Sequence, residues 1–363
     1  MDESLAFHLL NRLPGVGAKT IRSLTGHFGS AWAAWEAPES AWVALGQPRL
    51  SGIARERRSL DPVAEEASLA EKNISIIPFS DAAFPALLAE IPDAPALLYV
   101  RGAFRTWNER PLIAIVGSRK STPYGKQVAS ELARSLAEAG YAIVSGLAFG
   151  IDAIAHEAAL EAHGTTVAVL GSGIDDLSIS PQTHLALAND IAREGVIISE
   201  LAPGTSASIG TFPARNRIMA GMCQGVVVVE AAEESGSLIT ARLALDYNRT
   251  VFAVPGSIFS PASVGTHALL KEGARLVTSM TDVLEELGAG SATKNENAMG
   301  GMPNDLDPDE QSVYQVLSRE GLHVDKLAAL VRLETTHVNM ALTRLELRGL
   351  AKNIGNMHYI RGR

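Results

Sequence analysis

Between residues 111 and 260 the chain repeats one pattern: a hydrophobic run that breaks into a glycine-bearing turn. The segments read IAIVGSRKSTPYG (113–125), IVSGLAFGID (143–152), AVLGSGID (168–175), TFPARNRIMAG (211–221) and VVVEAAEESGSLITA (227–241). In an open parallel α/β sheet the carboxyl ends of the strands gather in one crevice, and ligands bind there. Two of these turns carry arginines and none offers an obvious nucleophile. The pattern therefore suits holding a row of phosphates better than breaking a bond.

The spacing predicts seven strands, at 112–116, 141–145, 166–170, 196–200, 225–230, 250–254 and 275–279. They are near-continuous apolar runs, as expected of parallel strands buried on both faces. Helices are expected at 123–139, 152–163, 181–193, 214–223, 237–248, 265–272 and 281–287, with Pro123 suited to a first helical turn. The fold class is α/β.

Five regions follow. Residues 1–60 read as a helical domain in which LPGVGAKTIRSL (13–24) has the form of a helix-hairpin-helix, with Trp32, Trp35 and Trp42 as its core. Backbone N–H groups at the start of such a second helix can face a phosphate; a plain helical connector is the alternative. Residues 61–110 form a bridging segment leading into the sheet, and 111–287 form the α/β domain. Residues 288–305, GAGSATKNENAMGGMPND, lack periodicity and read as a flexible linker. In 306–363, three amphipathic helices precede two short strands, the pattern of a winged helix. Its third helix offers His337, Asn339, Arg344 and Arg348 to DNA, and a protein-binding use is equally open.

The net charge of −9 argues against indiscriminate nucleic-acid binding, and 111–287 alone carries −7. Anion binding must come from local clusters. Arg119, Lys120 and Lys126 have no acid between them, and neither do Arg215 and Arg217 anywhere in 201–229. The single cysteine, Cys223, rules out an internal disulfide and is expected to be a buried thiol. The N-terminus lacks the form of a secretory signal, and no run of about 18 apolar residues occurs, so a cytoplasmic protein without a membrane span is expected.

Each motif carries its own chemistry. Gly117 lets the backbone approach a ligand, Ser118 and the following amides can donate to a phosphate, and Arg119 supplies a bidentate fork. In the second turn Gly146 and Gly150 bracket a helix start that favours an anion. Asp152 and His156 share one face of that helix and read as a capping carboxylate and a structural histidine rather than a metal pair. The third turn, with Asp175 and Asp176, reads as a solvated loop. Phe212 precedes a proline and should lie in an exposed turn beside Arg215 and Arg217, the combination that stacks a base and grips its phosphates. Gly236 and Ser237 open another anion pocket. No Walker A pattern and no GxGxxG with a ribose-binding acid occur, so no nucleotide cofactor and no metal are expected.

In this order and spacing, VGSRKSTPYG, VSGLAFGIDAIAHEAAL, AVLGSGID, ISELAPG, FPARNRIMAG, VVVEAAEESGSLITA and VFAVPGS resemble the DprA/Smf family, the DNA-processing proteins of bacterial natural transformation. The likeness covers residues 95–287 closely and both ends more loosely. It implies an extended Rossmann-like central domain, an N-terminal helical domain like a SAM or helix-hairpin-helix domain, and a C-terminal winged helix. It further implies a non-enzymatic recombination mediator that binds single-stranded DNA, loads RecA onto incoming strands, helps displace single-strand-binding protein, and dimerises through the Rossmann domain. Carried residue by residue, Gly117, Ser118, Arg119 and the adjoining Lys120 match the phosphate-gripping turn. Ser145, Gly146, Gly150, Gly171 and Gly173 match the glycine turns, Phe212, Arg215, Asn216 and Arg217 match FPxRNRI, and Ser235, Gly236 and Ser237 match the SGS turn. Residues contacting RecA or a second protomer are not readable.

Two other readings stay open. Related sheets occur in nucleotide-hydrolysing phosphoribohydrolases of the lysine-decarboxylase-like group, whose hallmark is PGGxGTxxE. Here the corresponding stretch is ESGSLITARLA, with Leu243 where the catalytic glutamate would stand and Glu230 and Glu233 nearby. Alternatively, the winged helix reads duplex DNA and the protein is a regulator.

Overall fold

The computed structural model describes residues 2–45, 48–103, 107–288, 306–318 and 321–362, in two compact units, 1–290 and 291–363. The proposed linker, 288–305, lies almost wholly outside the described residues.

Nine strands form one sheet in the first unit: β1 (Ser75–Pro78), β2 (Leu97–Gly102), β3 (Leu112–Val116), β4 (Ala142–Ser145), β5 (Thr166–Val169), β6 (Val196–Ser199), β7 (Gly225–Val228), β8 (Thr250–Ala253) and β9 (Arg275–Leu276). The order is β1-β2-β6-β5-β4-β3-β7-β8-β9. From β6 to β9 every pairing is parallel, whereas β1 and β2 run antiparallel at one edge. All seven predicted strands are present. β9 is shorter than predicted because the Asp282 carboxylate takes the N–H groups of Thr278 and Ser279 at 2.7 and 2.9 Å, drawing them out of the ladder and into a helix cap.

The helices before the sheet are α1 (Glu3–Arg12), α2 (Ala18–Phe28), α3 (Ala31–Glu36), α4 (Glu39–Val43), α5 (Pro48–Glu56) and α6 (Pro62–Glu71). Within the sheet's connections come α7 (Ala86–Ala89), α8 (Pro123–Glu138), α9 (Ile151–Glu161), α10 (Leu185–Glu194), α11 (Thr211–Met222), α12 (Gly236–Asp246), α13 (Val264–Lys271) and α14 (Met280–Glu286). They cover both sheet faces, which is why β3 to β8 read as unbroken apolar runs. Ile113, Val144, Val167, Ile198 and Val226 are wholly excluded from water, each contributing roughly 1.5–3 kcal/mol.

The helices of residues 1–60 share a core with the sheet. Leu5, Leu9, Ile21 and Trp42 belong to the same buried cluster as Leu97, Tyr99, Ala168 and Ile197, with Trp32 and Trp35 partly buried against it. Asn11 donates to the Tyr99 hydroxyl at 3.3 Å and to the Glu200 carbonyl at 3.1 Å. Residues 61–110, read as a bridge, supply β1 and β2 to the sheet itself.

In the second unit α15 (Pro308–Val316), α16 (Val324–Val331) and α17 (Thr335–Leu347) pack with β10 (Leu322–His323), β11 (Ala351–Asn353) and β12 (His358–Arg361), which pair in the order β10-β12-β11. This is a winged helix with one more strand than the sequence suggested. No helix among the described residues is long and apolar enough to cross a membrane.

Candidate functional site

Parallel strand order reverses between β3 and β7, and such a switch point is where ligands enter an open α/β sheet. The turn after β3 is pressed against its neighbours there. A Cβ on Gly117 would fall 2.7 Å from Ile151 Cγ1 and 3.0 Å from the Glu230 carbonyl. The Ser118 carbonyl accepts from the Ile151 N–H at 3.2 Å and its Oγ accepts from the Lys120 N–H at 3.1 Å. The Ser118 hydroxyl hydrogen is left to donate outward. Arg119 and Lys120 are exposed, and the Arg119 guanidinium carbon stands 5.2 Å from the centre of the Phe212 ring.

Phe212 lies in the first turn of α11, half-buried, and not in the exposed turn expected from its proline neighbour. The N–H groups of a first helical turn have no intrahelical acceptor, so Pro213 is tolerated inside the helix. The ring packs on the turn after β5, where a Cβ on Gly171 would be 3.3 Å from Phe212 Cδ1.

Arg215 corrects the sequence reading most strongly. It is 5% exposed, and one of its NH groups donates to the carbonyls of Gly146, at 2.7 Å, and Val169. Its Nε donates to Asn216 Oδ1 at 3.2 Å, and Asn216 Nδ2 donates to the Gly236 carbonyl at 3.3 Å. Both side chains bind the turns after β4, β5 and β7 to one another. Burial lowers the Arg215 pKa to about 10, against the pull of Asp152; burial raises that carboxyl, with Arg215 opposing. Asp152 Oδ2 accepts from the Gly146 N–H at 3.1 Å. Gly146 is glycine because its neighbour is an arginine: a Cβ there would sit 2.2 Å from the guanidinium.

Arg217 is likewise occupied. It meets Glu200 at 2.5 Å and Asp93 at 3.4 Å, with its side chain 13% exposed. The acid-free stretch 201–229 is real in sequence, but folding brings in an acid from the preceding loop and another 124 residues away.

The remaining predicted residues are mostly internal. Ser145 Oγ donates to the Ile115 carbonyl at 2.6 Å inside the sheet. Gly150, at φ +78°, has the Ser118 and Arg119 carbonyls where a Cβ would go. Gly171 and Gly173 are buried. Asp175, expected in a solvated loop, is 7% exposed, and its Oδ1 accepts from the Gly204 N–H at 2.7 Å; only Asp176 faces solvent. Ser235 caps α12, its Oγ 2.8 Å from that of buried Ser237, while Gly236 is exposed. Of the predicted residues, Arg119, Lys120 and Gly236 are thus exposed, while Gly117, Ser118, Gly150, Phe212, Arg217 and Ser235 are half-buried.

Two features were not legible in sequence. Glu230 is 2% exposed and its carboxylate accepts from the Thr122 N–H at 2.9 Å and from the Thr122 hydroxyl. It lies against Gly125 in the first turn of α8, at the helix end that in dinucleotide-binding folds meets the pyrophosphate. The chain thus places its own anion there. Glu233 is exposed. Phe149, 48% exposed, stands on the turn after β4; in the short apolar stretch Leu147-Ala148-Phe149 between two glycines nothing in the sequence separates the ring that is displayed from the side chain that is buried.

Comparison with known proteins places the architecture. The family model for DNA recombination-mediator protein A matches residues 75–288, and that for the DprA winged helix domain matches 301–354. Protein Smf of Synechocystis sp. is 32% identical over 387 residues, 97% of each chain. DNA processing protein DprA of Bacillus subtilis is 42% identical over 221 residues, 61% of this chain and 74% of the relative. Among solved structures, DprA from Streptococcus pneumoniae superposes with a TM-score of 0.67 at 35% identity, covering 79% of this chain and 98% of the other. DprA from Helicobacter pylori, whose structure concerns a single-stranded DNA binding mode, gives 0.54 at 32% identity, covering 60% and 96%.

Proposed function

Since the chain belongs to the DprA/Smf family of DNA recombination-mediator proteins, we propose that it binds single-stranded DNA in the strand-end crevice and acts there as a mediator without bond-breaking chemistry. The observation that carries this reading is the exposed Arg119, held over the Phe212 ring at the switch point and followed by exposed Lys120. A guanidinium supported by an aromatic ring takes both phosphates and bases. The H. pylori relative, described for its single-stranded DNA binding, supports the choice of ligand.

The structural roles of Arg215, Asn216 and Arg217 narrow the contact set to the turns around Arg119. The Glu230 carboxylate is buried and taken up by Thr122, and Leu243 stands where the hydrolases carry their glutamate, so we favour binding over phosphoribohydrolase chemistry. From the family resemblance we further propose RecA loading onto the bound strand, displacement of single-strand-binding protein, a homodimer through the Rossmann domain, a cytoplasmic location, and service in DNA uptake or recombinational repair.

The test is binding of a fluorescent oligothymidylate to wild type and Arg119→Ala across a salt series. Affinity should fall steeply with salt, and the variant should lose affinity together with about one unit of salt slope. Unchanged binding in the variant would remove the DNA from the crevice. Incubation with nucleoside monophosphates should release no ribose 5-phosphate. RecA should assemble faster on strands coated with single-strand-binding protein when wild type is present.

A further inference from the structure

The turn after β4 holds an aromatic ring out to solvent in a way ordinary packing does not require. Phe149 is 48% exposed, while Leu147, two residues before it, is fully buried. Leu147 has φ +58°, a left-handed conformation costly for a branched side chain, and Gly150 on the other side has φ +78°. The strain persists because the turn is tied at several points. Below it, the Gly146 N–H and carbonyl are held by Asp152 and Arg215. Beside it, His184 Nδ1 lies 2.9 Å from the Leu147 carbonyl; a carbonyl only accepts, so Nδ1 carries the hydrogen. The His184 ring then meets Phe149 edge-on, with centroids 4.8 Å apart and planes at 69°. Strained, over-determined turns of this kind cluster at ligand sites.

Phe149 also adjoins the contact set already described. Gly150 lies directly beneath the Ser118 and Arg119 carbonyls, so the turns bearing Phe149 and Arg119 touch. We propose that Phe149, braced by His184, is a second stacking platform for the bases of single-stranded DNA, beside the Arg119–Phe212 pair. The inference rests on the binding reading above and adds a contact to it. An exposed ring stacks any base on its face, so this platform would add affinity without sequence preference.

The full-length protein serves for the test, with oligothymidylate and an abasic oligomer of equal length as probes. Phe149→Ala should weaken oligothymidylate binding at least about fivefold and leave abasic binding unchanged, since stacking contributes only where a base is present. His184→Ala should weaken oligothymidylate binding in the same selective way, to a smaller extent. Phe149→Trp should retain affinity, and its fluorescence should be quenched by oligothymidylate beyond any change in wild type. Should Phe149→Ala fold poorly, the tryptophan variant decides alone: no quenching in excess of wild type overturns the proposal. Equal oligothymidylate affinity for wild type and Phe149→Ala overturns it too, as does equal loss on both probes. If wild type itself binds no single strand, the binding reading fails first, an outcome distinct from the others. Weakened capture of a protein partner by Phe149→Ala, with DNA binding intact, would reassign the ring to a protein interface.

Discussion

The guanidinium of Arg215 lies directly against the α-carbon of Gly146 and donates to its carbonyl at 2.7 Å, so that the second glycine turn closes over a buried arginine. Gly146→Ala should drive the arginine from its site and destabilise the fold by about 3 kcal/mol or more, because the displaced group leaves Asp152 buried without its counter-charge. Arg215→Lys should not restore stability, since one ammonium cannot reproduce the reach to Gly146, Val169 and Asn216. Urea unfolding of the three proteins checks both. A variant as stable as wild type would show that the arginine is not structural.

Arg119 and Phe212 should behave differently. Arg119 is exposed, so Arg119→Ala should change folding stability by less than about 0.5 kcal/mol while weakening oligothymidylate binding. In a double-mutant cycle with Phe212→Ala, binding should show a coupling of about 0.5–1 kcal/mol from the cation–π contact. Strict additivity would mean that the ring does not position the guanidinium.

Glu230 should matter for folding rather than chemistry. Glu230→Ala strips the Thr122 N–H and hydroxyl of their acceptor at the start of α8 and should cost about 1–3 kcal/mol. Glu230→Gln keeps an acceptor oxygen and should recover part of that loss. Thermal unfolding of the two variants separates these outcomes, and an alanine variant as stable as wild type would contradict the capping role.

Stability should fall as the solution is acidified below neutrality. His156 is fully buried, and its Nδ1–H faces Thr166 Oγ1 at 2.6 Å, whose own hydrogen goes to the Ile143 carbonyl. Burial, with Arg215 and His184 nearby, depresses its pKa to about 3. A depressed pKa means that the unfolded chain binds the proton first, so this stabilisation is complete above about pH 6.5 and is lost as the pH falls toward 3. Between pH 7 and pH 5 the loss from His156 should be about 2 kcal/mol. His8, also lowered by burial, adds in the same direction, whereas Asp152, raised by burial, opposes. Comparing wild type with His156→Gln at both pH values cancels the shared groups; an identical pH dependence would refute the assignment.

A chain ending at Gly288 should keep its affinity for single strands within about twofold. In the winged helix, the basic groups of α17 already meet acids of α15 and its cap: Arg344 pairs with Asp307 at 2.5 Å, His337 with Asp309 at 3.2 Å, and Arg348 approaches Glu310 at 3.8 Å. Little positive charge is left on that helix for a phosphate backbone. Loss of most single-strand binding on truncation would place the interface in the C-terminal unit.

The alternation of apolar runs with glycine turns determined the parallel sheet and its flanking helices, and three amphipathic helices before two short strands determined the winged helix, because burial leaves a periodicity that survives in one dimension. It also located the crevice, since strand ends follow from strand positions. The tertiary structure alone decided which motif residues face outward. Arg119 and Arg215 both come from motifs that read as phosphate grips, yet one reaches solvent and the other, inside α11, ties the turns after β4 and β5 together from below. Arg217 lacked acids in its own segment and found Asp93 across the fold. Whether a charged side chain is free depends on which carbonyls and carboxylates the fold brings within about 3 Å, and for these arginines several of them lie far away along the chain.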